Sequence, residues 1–334
     1  MFSDDSSAAS NVNVQTNTVV PVIPAQQNQE DDSILQYIAS RVARHQCILF
    51  LGSGVHVPSN VEKYNYPKEK CPPIGGELAA HLATQCGLAG NGPWNLQRVA
   101  QYYESKKKFR YLLVEEIVNV VHQDREPSPV LCALADLGFP LIITTNYDHL
   151  YEDALSRHSY EDEQGTHGYE YDLCIYNPDN REATKDCADK PNPQRPYILK
   201  LHGDIDEPES IVITDEDYIH FVLRMGDKQP FHPVGKNVLT YLAKWPTLFI
   251  GYSLTDYNFR VLFKTIRWQL DAARIPPNYS VDIKPDDLIR DIYENQHRYV
   301  TFIVENLWEF VPRLYKEVKK VEMPSCPPKQ GGQS

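Results

Sequence analysis

Four short apolar segments, each followed directly by small or polar residues, constrain the fold of this chain more than any other feature. The segments are residues 47–51, 141–143, 197–201 and 248–250. Strands that are apolar throughout are typical of a parallel sheet covered on both faces. Ligands of open α/β sheets bind beyond the carboxyl ends of the strands. We therefore expect the residues that follow the four segments to surround one pocket.

Helical patterns separate the apolar segments and predict an α/β fold. Four of them lie between the first two segments, at residues 75–87, 94–104, 109–122 and 129–137. That block is longer than a simple crossover needs, so we predict a helical insertion at about 58–137, after the first strand. The remaining helices are predicted at 33–42, 148–157, 214–223, 234–244, 255–270 and 307–318, and further strands at 210–213 and 299–304. This alternation predicts a Rossmann-like, mostly parallel sheet flanked by helices.

Both ends of the chain lack hydrophobic periodicity. Residues 1–32 are rich in Ser, Asn, Gln and Thr, and residues 323–334 contain three prolines and two glycines. Such composition is typical of disordered tails. We expect one domain at 33–322 between two disordered tails, with a short hairpin around 171–176 in an acidic, turn-rich stretch.

Charge and hydropathy limit the partners. The chain has 334 residues and a net charge of -12, from 33 Lys and Arg against 45 Asp and Glu. This acidity argues against direct nucleic-acid binding and against an anionic membrane surface, because phosphate contacts need Lys and Arg. No apolar run approaches the ~20 residues of a membrane span. The first basic residue is Arg41, which argues against a targeting segment and predicts a cytoplasmic protein.

Seven cysteines occur, and none of them forms a C-x-x-C pair. Structural zinc sites usually show paired cysteines at short spacing. We therefore expect reduced cytosolic thiols and no zinc module.

Two glycine turns follow the first and fourth segments. Gly52-Ser53-Gly54 can let backbone N–H groups approach a phosphate, or can be a tight strand-to-helix turn. A third glycine at the dinucleotide-binding spacing is absent, since position 57 is Val. Gly251-Tyr252-Ser253 can place Ser253 near a ribose or phosphate, or Ser253 can form a capping box with Asp256.

Polar residues follow the second and third segments. Asn146 and Asp148 can cap the next helix, but their run with Thr144 and Thr145 favours contacts to a polyhydroxylated ligand. His202 can be a buried core histidine. An imidazole with a pKa near ~6.5 can also act as a base near neutrality.

Taken in order, these four motifs resemble the sirtuin-like NAD-binding fold, in the branch found as effector domains of bacterial anti-phage systems. The resemblance covers roughly residues 35–305. It implies that Asn146, Asp148 and His202 are catalytic and surround the nicotinamide ribose. The residues that it assigns to cofactor binding are Gly52, Ser53, Gly54, Thr145, Gly251, Tyr252, Ser253 and Asp256.

Two departures from the deacylating sirtuins decide the expected reaction. Those enzymes carry a four-cysteine zinc module, which is absent here, and a Gly-Thr-Ser turn where this chain has Gly-Tyr-Ser. Water is then the expected acceptor, with NAD+ as substrate and no metal. We expect an NAD+ hydrolase that releases nicotinamide and ADP-ribose. An NAD-dependent protein deacylase and a non-catalytic subunit that binds NAD or ADP-ribose remain the alternatives.

The resemblance also implies control of the activity, because constitutive NAD depletion stops a cell. Many relatives carry a fused sensor domain, for which 334 residues leave no room. We therefore expect a homo-oligomer that acts in abortive infection with a separately encoded partner, such as a ring-forming ATPase or DNA translocase.

Overall fold

A parallel sheet of seven strands forms the centre of the computed structural model, which describes residues 24–59, 61–88, 90, 92–179, 183–254, 276–296 and 300–329. The strands are β1 (Ile48–Leu51), β2 (Leu141–Thr144), β3 (Ser159–Asp162), β4 (Gly165–Gly168), β5 (Asp172–Ile175), β6 (Tyr197–Lys200), β7 (Thr247–Ile250), β8 (Asn278–Val281) and β9 (Val300–Ile303). β3 and β4 form a separate antiparallel hairpin. The others pair in the order β5-β6-β2-β1-β7-β8-β9, every pair parallel, which confirms the predicted fold class.

Helices cover both faces of this sheet. They are α1 (Pro24–Ala43), α2 (Gly75–Gln85), α3 (Leu96–Lys107), α4 (Arg110–His122), α5 (Pro129–Asp136), α6 (Leu150–Ser156), α7 (Asp215–Arg224), α8 (Lys236–Leu242), α9 (Asp287–Arg290) and α10 (Leu307–Lys319). Successive strand side chains point to opposite faces. In β1, Leu49 and Leu51 therefore pack with α1, α5, α6 and α10. Ile48 and Phe50 pack with the helices of the other face, α7, α8 and α9.

Helices α2, α3 and α4 form a third apolar cluster outside the sheet. It includes Leu82, Tyr103 and Ile117, and it closes against Ile205 and Ile211 from the segment after β6. The predicted insertion at 58–137 therefore has its own core. Its last helix, α5, instead packs with α6 and α10 on the sheet.

One predicted hairpin and one predicted strand were wrong. Residues 171–176 hold the edge strand β5, which runs parallel to β6, and the hairpin of this region is β3–β4 instead. Residues 210–213 do not form a strand. Val212 donates one backbone hydrogen bond to the His202 carbonyl, 2.9 Å away, and its neighbours are buried without a ladder. Strand β8 was not predicted, because Asn278 and Ser280 interrupt its apolar character.

The first helix begins before its predicted start. α1 begins at Pro24 rather than at Ser33, and proline suits a first helical turn because the N–H groups there have no intrahelical partner. Residues 1–23 and the predicted helix at 255–270 lie outside the described residues. None of the helices in the described ranges has the length and apolar character of a bilayer span.

The C-terminal segment packs on the domain up to residue 329. A disulfide bond joins Cys326 to Cys132 on α5, and Met323 is buried in the same apolar cluster. Arg157 on α6 donates to the Pro327 carbonyl at 3.1 Å. The expectation of reduced thiols throughout therefore does not hold for Cys132 and Cys326. Residues 323–329 cover apolar surface of α5 that would otherwise face water, and residues 330–334 of the expected tail lie outside the described residues.

The disulfide predicts a definite thiol count. Denaturation without reductant, followed by alkylation and mass spectrometry, should modify the five cysteines that are free and leave Cys132 and Cys326 linked. The same protein treated with reductant is the control and should take up a label on every cysteine. Labelling of Cys326 without reductant would contradict the bond.

Candidate active site

A cleft of about 1050 Å³ lies beyond the carboxyl ends of β1, β2, β6 and β7. Its volume is at the upper end of the range for small-molecule sites, about 300–1,000 Å³. The strand-end residues that line it are Ser53, His56, Thr145, Asn146, Tyr147, Asp148, His202, Gly251, Tyr252 and Ser253. The polar residues that follow the four apolar segments therefore meet at one site, as parallel strands require.

The opposite wall comes from the helical insertion and from α7. Leu78 on α2 and the first turn of α3 line the insertion side, where Asn95 caps α3 by accepting from the Arg98 N–H at 2.9 Å. Tyr218 and Leu223 line the α7 side. This wall was not predicted residue by residue. The signal for it was the unusual length of the first crossover.

The two glycine turns pack against each other. Gly54 N–H donates to the Gly251 carbonyl at 2.8 Å, and Gly52 N–H donates to the Ile250 carbonyl at 3.1 Å. A Cβ on Gly52 would lie 2.5 Å from the Gly251 oxygen, and Gly251 itself has a φ of +65°. Close backbone packing therefore accounts for these glycines. The N–H groups of Gly52 and Gly54, which the sequence suggested for phosphate binding, instead donate to backbone carbonyls.

The side chains of Asp148 and Asn146 both lie close to His56. Asp148 Oδ2 lies 3.1 Å from His56 Nε2, and Asp148 Oδ1 accepts from Leu150 N–H at 2.9 Å at the start of α6. The Asn146 amide nitrogen lies 3.2 Å from the same His56 nitrogen. The helix-start contact predicted for Asp148 thus exists, and it occupies one of its two oxygens.

The environment of Asp148 keeps its carboxyl group ionised. Burial would by itself raise its pKa, but the charge and hydrogen bond of His56 and the charge of Lys200 oppose burial. The net effect is a pKa well below the ordinary range of an aspartate. Asp148 is thus a fixed negative charge at the floor of the cleft.

His202 lies between the sheet edge and α7. It is buried, and its ring meets the Tyr218 ring edge-on with centroids 5.3 Å apart. The next residue, Gly203, has a φ of +86°, and a Cβ there would collide with the Ser210 carbonyl. The turn at Gly203 places His202 at the cleft, and the chain that follows it packs against the insertion.

A buried lysine at the end of β6 supports the floor of the site. Lys200 Nζ contacts Asp204 Oδ2 at 2.5 Å, the Asp148 carbonyl at 2.6 Å and Glu152 Oε1 at 2.9 Å. Burial disfavours its charge, but Glu152 and Asp204 outweigh burial and raise the pKa of Lys200. Asp204 also bonds His149 at 2.7 Å. Asp204 is therefore a member of this ion network.

One group within the described ranges has the spacing of metal ligands, and it comprises His149, Asp204 and Asp206. The Asp204 carboxylate of this group already pairs with the Lys200 ammonium, so the chain itself provides the positive charge at this position.

The structure places most of the predicted site residues in the cleft. Asn146, Asp148 and His202 line it, and so do the predicted cofactor residues Ser53, Thr145, Gly251, Tyr252 and Ser253. Gly52 and Gly54 lie in the turn but are not among the lining residues, and Asp256 lies outside the described residues. The sequence assigned no role to His56. Its position two residues after the glycine turn was the available signal.

Comparison with known proteins gives a family and several relatives. Residues 140–304 match the family model of the SIR2-like domain. The NAD(+) hydrolase ThsA of Acinetobacter baumannii is 26% identical over 239 residues, which are 71% of this chain and 42% of that protein. The NAD(+) hydrolase ThsA of Enterococcus faecium is 30% identical over 202 residues, 60% of this chain and 38% of that protein.

A third relative, defense-associated sirtuin 2 of Bacillus subtilis, is 26% identical over 166 residues, 48% of this chain and 14% of that protein. The chain thus spans less than half the length of these curated relatives. The family match falls on the part of the chain that holds β2, β6 and β7 with the residues at their ends. Residues 140–304 are therefore similar to a SIR2-like domain, and the chain is similar to relatives named NAD(+) hydrolase and defense-associated sirtuin.

Proposed function

We propose that this protein hydrolyses NAD+ at the bond between nicotinamide and ribose. The observation that carries the proposal is the meeting of an amide, a carboxylate and an imidazole, from Asn146, Asp148 and His202, in one cleft of dinucleotide size. Relatives named as NAD(+) hydrolases support the choice of substrate and reaction.

The chemistry needs these groups. The C–N bond breaks with its electron pair going to the pyridinium nitrogen, so nicotinamide leaves neutral and needs no general acid. Positive charge develops on the ribose, and a fixed carboxylate such as Asp148 stabilises it. Water then bonds to the ribosyl carbon and loses a proton, which gives ADP-ribose and H+.

Asn146 and His202 have roles in the same step. The Asn146 amide orients the attacking water or a ribose hydroxyl, since an amide both donates and accepts hydrogen bonds. The His202 imidazole polarises a ribose hydroxyl or accepts its proton. His202 is tied in place by the packing of its ring on Tyr218, so it can act without reorganisation.

Incubation of the purified protein with NAD+ tests this function. Free nicotinamide and ADP-ribose should accumulate in equal amounts without an acylated substrate. Turnover that depends on an acetylated peptide would show a deacylase. Tight NAD+ binding without product, with and without the candidate partner, would show a non-catalytic regulatory subunit.

We further propose that this activity depletes NAD+ during anti-phage defence in the cytoplasm. Uncontrolled NAD+ loss is toxic, so we propose that self-assembly and a separately encoded ring-forming ATPase or DNA translocase hold the activity in check. The name of the relative called defense-associated sirtuin 2 supports the defence role. Light scattering and nicotinamide release, measured with and without the partner, test assembly and control together. A monomer with full activity alone would contradict both.

A further inference from the structure

A buried histidine under the cleft has no role in the function proposed above. His56 ends the short helical turn Ser53–His56 that follows β1, and its side chain is 1% exposed. It lines the cleft, and with Asn146, Asp148 and Tyr151 it also borders a small cavity of about 10 Å³ behind them. The imidazole therefore lies between the reactive edge of the sheet and its core.

One ring nitrogen of His56 faces two partners. Nε2 lies 3.1 Å from Asp148 Oδ2 and 3.2 Å from Asn146 Nδ2. With a hydrogen on Nε2 the ring donates to the carboxylate, and without it the ring accepts from the amide. An ionised carboxylate accepts only, and it favours the protonated nitrogen. The Asn146 amide is then released from His56.

Two polar atoms of this group have no hydrogen-bond partner among the described residues. They are His56 Nδ1 and Asn146 Oδ1, and both are buried. Leaving a buried polar atom unpaired is costly, and native structures keep such atoms mainly where function uses them. An apolar side chain would fill the position of His56 at lower cost if its role were packing.

Both oxygens of Asp148 are engaged, so its orientation depends on His56. Oδ1 accepts from Leu150 N–H and Oδ2 from His56. The charged and titratable groups around this carboxyl are His56 from the β1 turn, Lys200 from β6, Glu152 from α6 and Tyr66 from the loop before α2. Of these, His56 is the side chain that bonds the carboxylate directly.

We propose that His56 is a positioning residue for the reaction in this cleft. Its Nε2–H holds the Asp148 carboxylate in one orientation and leaves the Asn146 amide free to contact the substrate. This role rests on the proposed NAD+ hydrolysis. It adds a residue that acts through Asp148 and Asn146 rather than by touching the substrate.

Substitution of His56 in the full chain tests the role. In His56→Ala, kcat for nicotinamide release should fall about 100-fold, the loss expected when a reactive group is misplaced by about an ångström. KM should change little, because His56 does not bind NAD+ directly. The acid limb of the pH–rate profile should move to higher pH, since Asp148 loses a neighbour that lowers its pKa. His56→Gln, whose amide can still donate to Asp148, should restore part of kcat.

Two control variants distinguish a positioning role of His56 from a nonspecific loss of packing. Tyr151→Phe removes a buried hydroxyl that borders the same small cavity. This hydroxyl has no hydrogen-bond partner among the described residues, so kcat should stay close to the wild-type value. His81→Ala breaks another imidazole–carboxylate pair, 2.5 Å from Glu116 in the insertion, and should leave the pH profile unchanged. An equal loss of kcat in Tyr151→Phe would overturn the positioning role.

The outcomes for the function and for His56 are distinguishable. Absence of nicotinamide release by the wild type, both alone and with the candidate partner, would contradict the proposed function. If the wild type releases nicotinamide and His56→Ala has the same kcat and the same acid limb, the role of His56 is overturned, while the proposed function stands. Nitrogen-15 NMR of the wild type, assigned against His56→Gln, should show the hydrogen of His56 on Nε2 near neutrality, whatever the activity. A hydrogen on Nδ1 alone would overturn the proposal even if His56→Ala does not fold.

Discussion

Replacing Lys200 with methionine is expected to lower the free energy of unfolding by about 3–5 kcal/mol, the cost of removing one partner from a buried ion network. Lys200 is fully buried, and its ammonium contacts Asp204, Glu152 and the Asp148 carbonyl. Methionine fills the space but leaves the buried Glu152 carboxylate without its lysine partner and leaves Asp204 with His149 alone. The melting temperature should fall by roughly 5–10 °C.

The loss of stability in Lys200→Met should depend on pH in a defined direction. In the wild type the hydrogen bond from His149 and the charge of Lys200 overcome burial and lower the pKa of Asp204, so Asp204 stabilises the fold above its unfolded pKa. Burial already raises the pKa of Glu152 against the pull of Lys200. Without Lys200 the pKa values of both carboxyl groups should rise, because each loses the positive charge that lowers its pKa. The variant should then be least stable relative to wild type at neutral pH, and the difference should shrink as pH falls toward about 4.

Lys68→Met is the matched control for this prediction. Lys68 also contacts a carboxylate at 2.5 Å, that of Glu77, but both side chains are exposed. An exposed ion pair contributes about 0–1 kcal/mol, so Lys68→Met should unfold close to the wild-type temperature. Equal shifts for the two variants, or a Lys200→Met loss that grows on acidification, would contradict the account of the buried network.

Asn146→Ala is expected to lower kcat for nicotinamide release by about 10²–10³-fold, the cost of removing one polar group preorganised for the transition state. Asn146 is fixed by its backbone N–H, which donates to Thr144 Oγ1 at 3.0 Å, while its side chain faces the cleft. The unfolding temperature should change little, because the amide oxygen has no partner among the described residues.

An exposed asparagine provides the control for this variant. Asn119 lies on the solvent side of α4, far in the sequence from the strand ends, so Asn119→Ala should keep wild-type kcat. Measurement of kcat and KM for both variants and for His202→Ala decides the assignment. Release that persists at the wild-type rate in both Asn146→Ala and His202→Ala would place the chemistry elsewhere.

The framework of the site follows from short-range sequence signals. Uniformly apolar runs such as 47–51 and 248–250 specify buried parallel strands, and parallel strands bring Asn146, Asp148 and His202 to one edge. The helix predicted at 214–223 also follows from local signals, because Thr214 and Asp217 form a capping box within one helical turn.

Features that depend on contacts distant in sequence could not be predicted in the same way. His56 meets Asp148 across 92 residues, and Lys200 at the end of β6 meets Glu152 on α6. The glycine turns looked alike as phosphate loops, but their packing against each other engages the N–H groups of Gly52 and Gly54. Cys132 and Cys326 are 194 residues apart, and nothing in their local sequence indicates the pairing.

NAD+ should be cleaved in the cleft at the ends of β1, β2, β6 and β7. A crystal structure of Asn146→Ala soaked with NAD+ tests it most directly, because the slow variant retains the substrate. The nicotinamide ribose should lie against Asp148 and His202, with the dinucleotide extending between the β7 turn and the insertion. NAD+ bound at another surface, with this cleft closed to it, would contradict the account.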